Sequence, residues 1–325
     1  MKAVLLVGGK GTRLRPLTYR LPKPLIPLMG KPLLMHVIDS LPEEIDETIV
    51  PVGYMKDKIE DYLEKNPPRR KITIIEEKHP LGTGGAVKNV EDYIDGPFLV
   101  INGDTVSSLD VGSFMEFHRK KKAFASISLW EVTDPTPFGI VELEDDQRIC
   151  RFQEKPTKEE AFSNLANAGV YALEYEVLDH IGDGFVSMER EVFPRILDKG
   201  MYGLTFEGYW IDCGTRDSIL SAFWTLMADS VEIHDSVDGR RGRISGPAII
   251  RKDAVIGDGA VLGPYAYLSE RTVVGDNARI EKSVVFEGAK IGRECLIRDS
   301  LIDVDVEVPA KTEVISTTLS GGKSE

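Results

Sequence analysis

The 325-residue chain has few of the residues that build disulfide frameworks or zinc centres. It contains three cysteines, Cys150, Cys213 and Cys295, and five histidines. The cysteines are odd in number, widely spaced and never arranged as CxxC, so the sequence predicts neither a disulfide framework nor a zinc site. The histidines share no metal-ligand spacing. We therefore expect reduced thiols in a cytoplasmic protein.

Clustered positive charge and long apolar runs are also lacking. The formal net charge is −13, with 40 Lys and Arg against 53 Asp and Glu. Binding along nucleic acid needs a basic face, so we expect no nucleic-acid partner. No apolar run reaches the roughly 18 residues that indicate a transmembrane helix, and the stretch at 3–7 is too short for a secretion signal. We expect no membrane association.

Short apolar segments alternate with helical patterns in the first part of the chain. Strands are predicted at 3–7, 48–53, 71–75 and 98–101, and helices at 31–40 and 55–65. This alternation predicts an α/β fold with a mostly parallel sheet. Ligands of such sheets bind at the carboxyl ends of the strands, and both Gly8 and Asp104 follow a predicted strand there. The two loops should therefore meet at one crevice.

The C-terminal part repeats an apolar residue every six positions. The repeat comprises Ile244, Ile250, Ile256, Leu262, Leu268, Val274, Ile280 and Phe286. After Phe286 the phase shifts by one, to Ile291 and Ile297. This period predicts a parallel β-helix and resembles the left-handed hexapeptide-repeat helices, in which it would form about three coils. We expect a linker at 229–243, a β-helix at 244–312 and a disordered end to the tail at 313–325.

A glycine-rich loop follows the first predicted strand. Gly8, Gly9 and Gly11 would let backbone N–H groups turn toward a phosphate, and Arg13 and Lys23 add positive charge. The loop contains neither GxxxxGK[ST] nor GxGxxG, so the sequence does not favour a P-loop kinase or a dinucleotide-dependent dehydrogenase. Glycine spacing alone leaves a plain strand-to-helix turn as an open alternative.

Several motifs in order resemble the signature segments of sugar-1-phosphate nucleotidyltransferases over about residues 1–225. They are GGKGTRLRPLT from Gly8, PKPLIP from Pro22, LGTGGA from Leu81, NGD from Asn102, FG from Phe138, EKP from Glu154, NAG from Asn167 and WIDCGT from Trp210. The resemblance implies a Rossmann-like domain over 1–228 with a mixed, mostly parallel sheet, followed by the β-helix. It also implies Mg²⁺ as cofactor, and a nucleoside triphosphate and a sugar 1-phosphate as substrates.

The resemblance also implies roles for individual residues. Arg13 and Lys23 would bind the triphosphate, and Lys155 would form an ion pair with the sugar phosphate. Asp104 and Asp212 would coordinate Mg²⁺. The further nucleotide-binding residues are Leu6, Gly8, Gly9, Gly11, Thr12, Gly82, Gly85 and Asn102, and the further sugar-phosphate residues are Gly139, Glu154 and Asn167. Because the attacking phosphate is already an anion, charge neutralisation and alignment matter more than a general base. Two purely structural alternatives stay open. Asp104 could cap a helix, and Lys155 could form a solvent-exposed ion pair with Glu154.

The LGTGGA segment resembles the base-contacting loop of this family, and it has Thr83-Gly84-Gly85 where relatives specific for thymidine or uridine often have glutamine. This form resembles guanylyl- and some cytidylyltransferases, so GTP and mannose 1-phosphate are the first expectation. A glucose-1-phosphate thymidylyl- or uridylyltransferase is the alternative, and a non-catalytic regulatory subunit that binds nucleotide sugar is an alternative from another class. An acyltransferase is disfavoured because no histidine follows His234. The faces and coil ends of the β-helix predict a homo-oligomer.

Overall fold

The computed structural model of the chain describes residues 1–238 and 242–321. The chain folds into two compact units. The first unit comprises Met1–Lys10, Lys23–Leu25 and Pro32–Trp210, and the second comprises Gly11–Pro22, Ile26–Lys31 and Ile211–Glu325.

The strands and helices predicted up to residue 101 are all present, and further elements follow them up to Met227. The strands are β1 Lys2–Leu6, β2 Pro27–Leu28, β3 Lys31–Pro32, β4 Glu47–Val52, β5 Lys71–Glu76, β6 Phe98–Asn102, β7 Thr105–Ser107, β8 Ala125–Glu131, β9 Gly139–Leu143, β10 Ile149–Glu154, β11 Leu165–Leu173, β12 Met201–Thr205 and β13 Trp210–Asp212. The helices are α1 Leu33–Ser40, α2 Lys56–Lys65, α3 Gly82–Lys88, α4 Val111–Lys121, α5 Phe193–Ile196 and α6 Arg216–Met227. Short 3-10 turns include Thr12–Leu14, Leu17–Tyr19 and Lys23–Leu25, and a π-helical turn covers Met188–Val192.

The first unit is built on one mixed sheet. Its strand order is β10-β9-β11-β6-β1-β4-β5, and β8 pairs with both β11 and β12. Strand β1 is parallel to β4 and β6, β4 is parallel to β5, and β11 is antiparallel to β6 and β8. The register sets Leu6 opposite Asn102. The segments that follow β1 and β6 therefore leave the sheet side by side, as predicted from the sequence.

Proline is unfavourable inside a central strand because it has no N–H to donate to the hydrogen-bond ladder. Pro51 nevertheless lies in β4, between β1 and β5. The pairing of β4 with β1 ends at Ile49, so Pro51 lies beyond the ladder on that side. The core on either side of the ladder is aliphatic, with Val4, Ile49 and Val100 fully buried. This packing fixes the strands whose ends carry the candidate site.

The second unit contains a parallel β-helix. Its strands are β14 Val231–Ile233, β15 Arg243–Ile244, β16 Ala248–Ile250, β17 Val255–Ile256, β18 Val261–Leu262, β19 Ala266–Leu268, β20 Val273–Val274, β21 Arg279–Glu281, β22 Ser283–Val285, β23 Lys290–Ile291, β24 Leu296–Arg298, β25 Leu301–Ile302, β26 Glu307–Val308, β27 Glu313–Ile315 and β28 Thr318–Leu319. In the described residues they form three parallel sheets of six, five and four strands. Buried aliphatic residues from all three sheets fill the interior, which agrees with the predicted left-handed hexapeptide-repeat helix.

The buried ladder departs from the predicted phase at one residue. Leu268 pairs with Ile250, eighteen positions earlier, but Val285 pairs with Leu268 after only seventeen. The shorter step persists, since Ile302 pairs with Val285. Val285 therefore takes the interior position predicted for Phe286, whose ring lies 6.3 Å from that of Phe223 on α6. The prediction for Phe286 was wrong because the shortened repeat begins before that residue, not after it.

The β-helix also extends beyond the predicted range of 244–312. Strand β14 lies within the predicted linker and pairs with β16, and β28 lies within the predicted tail and pairs with β25. The largest sheet has six strands, so the prediction of about three coils was too low. The seventeen-residue coils break the hexapeptide period, which is why the period alone ended too early. Residues 239–241 of the predicted linker and 322–325 of the predicted tail lie outside the described residues.

Two sequence expectations concern features outside the sheets. Across residues 1–238 and 242–321, no helix has both the length and the apolar character needed to cross a membrane. None of the three cysteines forms a disulfide, and Cys213 and Cys295 are buried.

Candidate active site

A cavity of about 360 Å³ opens in the first unit, where β1, β4, β5 and β6 end. The carboxyl ends of parallel strands are the usual ligand site of such sheets. Its lining includes six residues predicted to bind nucleotide, namely Leu6, Gly8, Gly9, Gly82, Asn102 and Asp104. The structure thus brings the glycine loop, the base-contacting loop and the NGD segment to one cavity.

Glu77 lines the same cavity and was missed by the sequence analysis. It directly follows β5, and its N–H donates to the Val52 carbonyl at 2.8 Å. A Cβ on Gly8 would lie 3.4 Å from the Glu77 carboxylate, so the glycine loop and this side chain face each other closely. Burial raises the pKa of Glu77. The rule that selected Gly8 and Asp104, position after a parallel strand, would also have selected Glu77.

The glycines of the LGTGGA loop have a packing role that the sequence did not suggest. Gly82 has a φ of +70°, and a Cβ there would lie 2.5 Å from the Val186 carbonyl oxygen. The N–H groups of Gly84 and Gly85 donate to that same oxygen at 2.8 and 3.2 Å. A Cβ on Gly85 would clash with the carbonyl of Gly184. Gly85 is thus packed against the 184–186 segment, and its expected contact with the base stays a prediction.

Asp104 lies in the turn between β6 and β7 and pairs with Lys23. Its Oδ2 accepts a hydrogen bond from the Lys23 ammonium at 2.6 Å. The Lys23 side chain is only 12% exposed, so the carboxylate balances a charge that is largely shielded from water. Asp104 does not cap a helix, because the N-cap of the following helix α4 is Asp110, whose carboxylate accepts from the Ser113 N–H. The helix-cap alternative for Asp104 was therefore wrong.

Glu154, Lys155 and Gly139 lie together at the paired ends of β9 and β10. The Glu154 side chain is 15% exposed, and its Oε1 lies 3.7 Å from the half-exposed ammonium of Lys155. A Cβ on Gly139 would approach the other Glu154 oxygen to 2.8 Å, so the glycine makes room for the carboxylate. Burial raises the pKa of Glu154, and the nearby Glu189 carboxylate raises it further, against the lowering effect of Lys155.

Glu189 connects the base-contacting loop with the predicted sugar residues. Its Oε2 accepts from the hydroxyls of Thr83 at 2.7 Å and Ser187 at 2.8 Å. Its Oε1 accepts from the Tyr171 hydroxyl at 3.2 Å, which in turn accepts from the Asn167 amide at 2.9 Å. Tyr171 is fully buried, and burial raises its pKa well above the ordinary value. The predicted sugar residue Asn167 is thereby held by a buried chain of hydrogen bonds.

The second unit contains the rest of the glycine-rich loop. Gly11 has a φ of +58° and precedes the turn Thr12–Leu14. The Thr18 hydroxyl donates to the Gly11 carbonyl at 2.8 Å. Together these features hold Arg13, in the middle of the turn, in a defined position.

Arg13 and Asp212 approach one glycine within the second unit. A Cβ on Gly214 would lie 2.6 Å from the Arg13 guanidinium and 2.9 Å from the Asp212 carboxylate. Only a residue without a side chain leaves room for both groups. Gly214 therefore lets the Asp212 carboxylate of the WIDCGT segment and the Arg13 guanidinium of the glycine-rich loop occupy the same small space.

The predicted residues thus fall into two groups. Lys23, Asp104, Lys155, Glu154, Asn167 and the cavity residues belong to the first unit, and Gly11, Thr12, Arg13 and Asp212 belong to the second. That both groups act on the same substrates stays a prediction.

Comparison with known families agrees with this arrangement of motifs. Residues 2–228 match the model of the Nucleotidyl transferase family, and residues 244–325 match that of the GMPPB C-terminal domain. The chain belongs to the nucleotidyl transferase family. The predicted family and enzyme class are confirmed, as is the mixed-sheet domain followed by parallel β-strands.

Two relatives cover nearly the whole chain, and a solved structure covers about two thirds of it. Mannose-1-phosphate guanylyltransferase 1 of Arabidopsis thaliana is 32% identical over 99% of this chain and 91% of its own length. The bifunctional protein GlmU of Methanocaldococcus jannaschii is 36% identical over 93% of this chain and 77% of its own. The structure of HddC from Yersinia pseudotuberculosis complexed with GMP-PN is 30% identical, with a TM-score of 0.58 over 69% of this chain and 99% of that one.

Proposed function

We propose that this nucleotidyltransferase transfers GMP from GTP to mannose 1-phosphate, giving GDP-mannose and pyrophosphate. The observation that carries the choice of base is the Glu77 carboxylate in the cavity beside Gly8. The names of the relatives support the choice of sugar, since the Arabidopsis protein is a mannose-1-phosphate guanylyltransferase.

An ionised carboxylate matches guanine better than it matches the other bases. Its two oxygens only accept hydrogen bonds, and guanine offers adjacent N1–H and N2–H donors on one edge. Adenine and cytosine would set a ring nitrogen lone pair against one carboxylate oxygen, and uracil and thymine would set carbonyl oxygens beside it. A buried acceptor left without a donor discriminates strongly between ligands. Glu77 therefore favours GTP over the other triphosphates.

The phosphates need positive charge more than they need a base. The attacking oxygen of the sugar 1-phosphate is already an anion, so the barrier lies in bringing two anionic substrates together in line. We propose that Lys23 and Arg13 bind the triphosphate and the leaving pyrophosphate, and that Lys155 binds the sugar phosphate. Glu154 and Asn167 would bind hydroxyl groups of the sugar. Because Lys23 and Glu154 are largely buried, they are held ready before substrate arrives.

Asp104 and Asp212 are the residues that would hold the divalent cation used by the family. Both offer carboxylate oxygens, the donors that Mg²⁺ prefers, and Mg²⁺ takes its other ligands from water and substrate phosphates. In the described residues no cluster of three or more acidic, histidine or cysteine side chains offers a complete cage. Two carboxylates suit a cation that arrives with its nucleotide, and we propose Mg²⁺. When bound, it would neutralise negative charge on the phosphates.

The function is tested by a matrix of pyrophosphate-release assays with purified full-length chain. Five nucleoside triphosphates are each combined with the 1-phosphates of mannose, glucose and glucosamine. We expect the highest kcat/KM for GTP with mannose 1-phosphate. Higher values for dTTP or UTP with glucose 1-phosphate would favour the alternative transferase. Binding of GDP-mannose without pyrophosphate release from any pair would favour a non-catalytic regulatory subunit.

A further inference from the structure

A second cavity of about 360 Å³, wide open to solvent, lies entirely within the second unit, and three of its nine lining residues are arginines. Three chain segments supply it: Arg13 and Arg15 from the glycine-rich loop, Arg216 from the first residue of α6, and residues 316–318, which are Ser-Thr-Thr, from the end of the β-helix. Asp217 is the one carboxylate among the described residues that line it. Three arginines thus face one aspartate in a chain whose net charge is −13.

The arginines are held in place by their neighbours. The Arg216 Nε donates to the Asp217 carboxylate at 2.8 Å, and the Arg15 guanidinium lies 4.8 Å from the centre of the Tyr19 ring. These contacts limit how far either side chain can turn away from the cavity. Several guanidinium groups around one space repel one another unless an anion lies among them.

The chemistry of the lining indicates a phosphate-bearing ligand. Guanidinium groups present planar pairs of N–H donors that match phosphate oxygens, and the hydroxyls at 316–318 are further possible donors. The cavity size falls within the range of small-molecule sites. The lining is too polar and too charged for an apolar ligand.

We propose that this cavity is an anion site that binds a phosphate or diphosphate group while GTP occupies the cavity beside Gly8. Its two possible sources are free inorganic phosphate or pyrophosphate, and the diphosphate of a nucleotide sugar. Arg13 lines the cavity, and we have also assigned it to the triphosphate. The site therefore depends most distinctively on Arg15 and Arg216, which have no role in the proposed reaction.

The test is calorimetric titration of the full-length chain with phosphate, pyrophosphate or GDP-mannose. EDTA is present to prevent turnover, and each titration is run with and without saturating GTP. We expect at least one of the three anions to bind in the presence of GTP. Its Kd should rise at least about tenfold in Arg15→Gln and in Arg216→Gln, because each loses a charged donor. Binding of phosphate or pyrophosphate alone identifies a free anion, and binding of GDP-mannose identifies the nucleotide-sugar diphosphate.

Two further variants make the test sharper. Asp217→Asn removes the opposing carboxylate, so we expect the anion to bind more tightly, and this variant decides the matter if an arginine variant does not fold. Arg271→Gln is the matched control, because Arg271 is an exposed β-helix arginine paired with Glu287 and should leave the Kd unchanged. Complete loss of anion binding when GTP is added would overturn the proposal, since the anion would then occupy the triphosphate site. Equal Kd values in wild type, Arg216→Gln and Asp217→Asn would also overturn it.

Discussion

Replacing Glu77 by glutamine keeps the size of the side chain and changes one acceptor into a donor. In the cavity beside Gly8 the change should break one of the two hydrogen bonds to guanine and set an N–H group against another donor. Hydrogen bonds to charged groups contribute about 1.5–3 kcal/mol, so kcat/KM for GTP should fall roughly 10- to 150-fold. An amide offers one donor and one acceptor, which match the carbonyl and N3–H of uracil, so kcat/KM for UTP should rise.

The assay is pyrophosphate release from GTP and UTP with saturating mannose 1-phosphate. Glu76→Gln is the matched control, because Glu76 is the adjacent carboxylate and its side chain is 59% exposed. We expect the control to keep the GTP to UTP ratio of the wild type. An unchanged ratio in Glu77→Gln, or an equal fall in the control, would refute the role of Glu77 in base recognition.

The Glu77 carboxylate should also make the activity with GTP depend on pH. Burial raises the pKa of Glu77, so its carboxylate becomes protonated at a higher pH than that of an exposed glutamate. A protonated carboxyl loses an acceptor in the same way as glutamine does. The advantage of wild type over Glu77→Gln with GTP should therefore shrink as the pH falls through that raised pKa.

Four further results are expected. Asp104→Asn should lower kcat at least about 100-fold while the chain still folds, because it removes a proposed cation ligand. It should also lower the melting temperature, because the largely buried Lys23 loses the carboxylate that balances its charge. Unchanged turnover would remove Asp104 from the site. Lys155→Ala should raise the KM for mannose 1-phosphate at least about tenfold, and an equal rise in the KM for GTP would contradict a specific role at the sugar phosphate. Glu154→Gln should be more stable to urea than wild type near pH 8, because the raised pKa of Glu154 shows that its ionised form is unfavourable in the folded state. The difference in stability should disappear as the pH falls below 4.5, where the wild-type carboxyl is also neutral. A stability difference that stays constant with pH would contradict this role of the Glu154 charge. Light scattering of the full-length chain should give a multiple of the 36.1 kDa subunit mass, whereas a monomer would contradict the proposed homo-oligomer.

The sequence predicted the α/β unit well because its strands are short apolar runs that end in distinctive loops. Gly8 and Asp104 were placed at neighbouring strand ends, and the register of Leu6 with Asn102 brings those ends together. Glu77 was missed although it also follows a strand. Its position after a predicted strand would have made Glu77 a candidate, but only the order of the strands in the sheet shows that it faces Gly8.

The β-helix shows how far a strict period can be followed. The six-residue repeat identified the architecture, but Val285 replaces Phe286 in the interior once the coil shortens by one residue. Each later coil keeps the shorter length, so a period of six loses phase there. Strand β14 was not predicted for another reason. Val231–Ile233 is exposed and lies in a polar stretch that lacks the six-residue repeat.

The glycines of the base-contacting loop illustrate a different limit. The motif marked Gly82 and Gly85 as nucleotide-binding residues, and the structure adds that the N–H groups of Gly84 and Gly85 donate to the Val186 carbonyl and that Gly85 packs against the 184–186 segment. A glycine required for close packing and one required for ligand access look the same in a sequence. Only the distant segment at 184–186 distinguishes the two.

A crystal structure of the full-length chain with bound GTP tests the central claim most directly. We predict that the guanine N1–H and N2–H groups donate to the Glu77 carboxylate, while the phosphates extend past Gly8 and Gly9 to the Lys23 ammonium. A nucleotide whose base lies away from Glu77 and whose phosphates lie away from Lys23 would contradict the account.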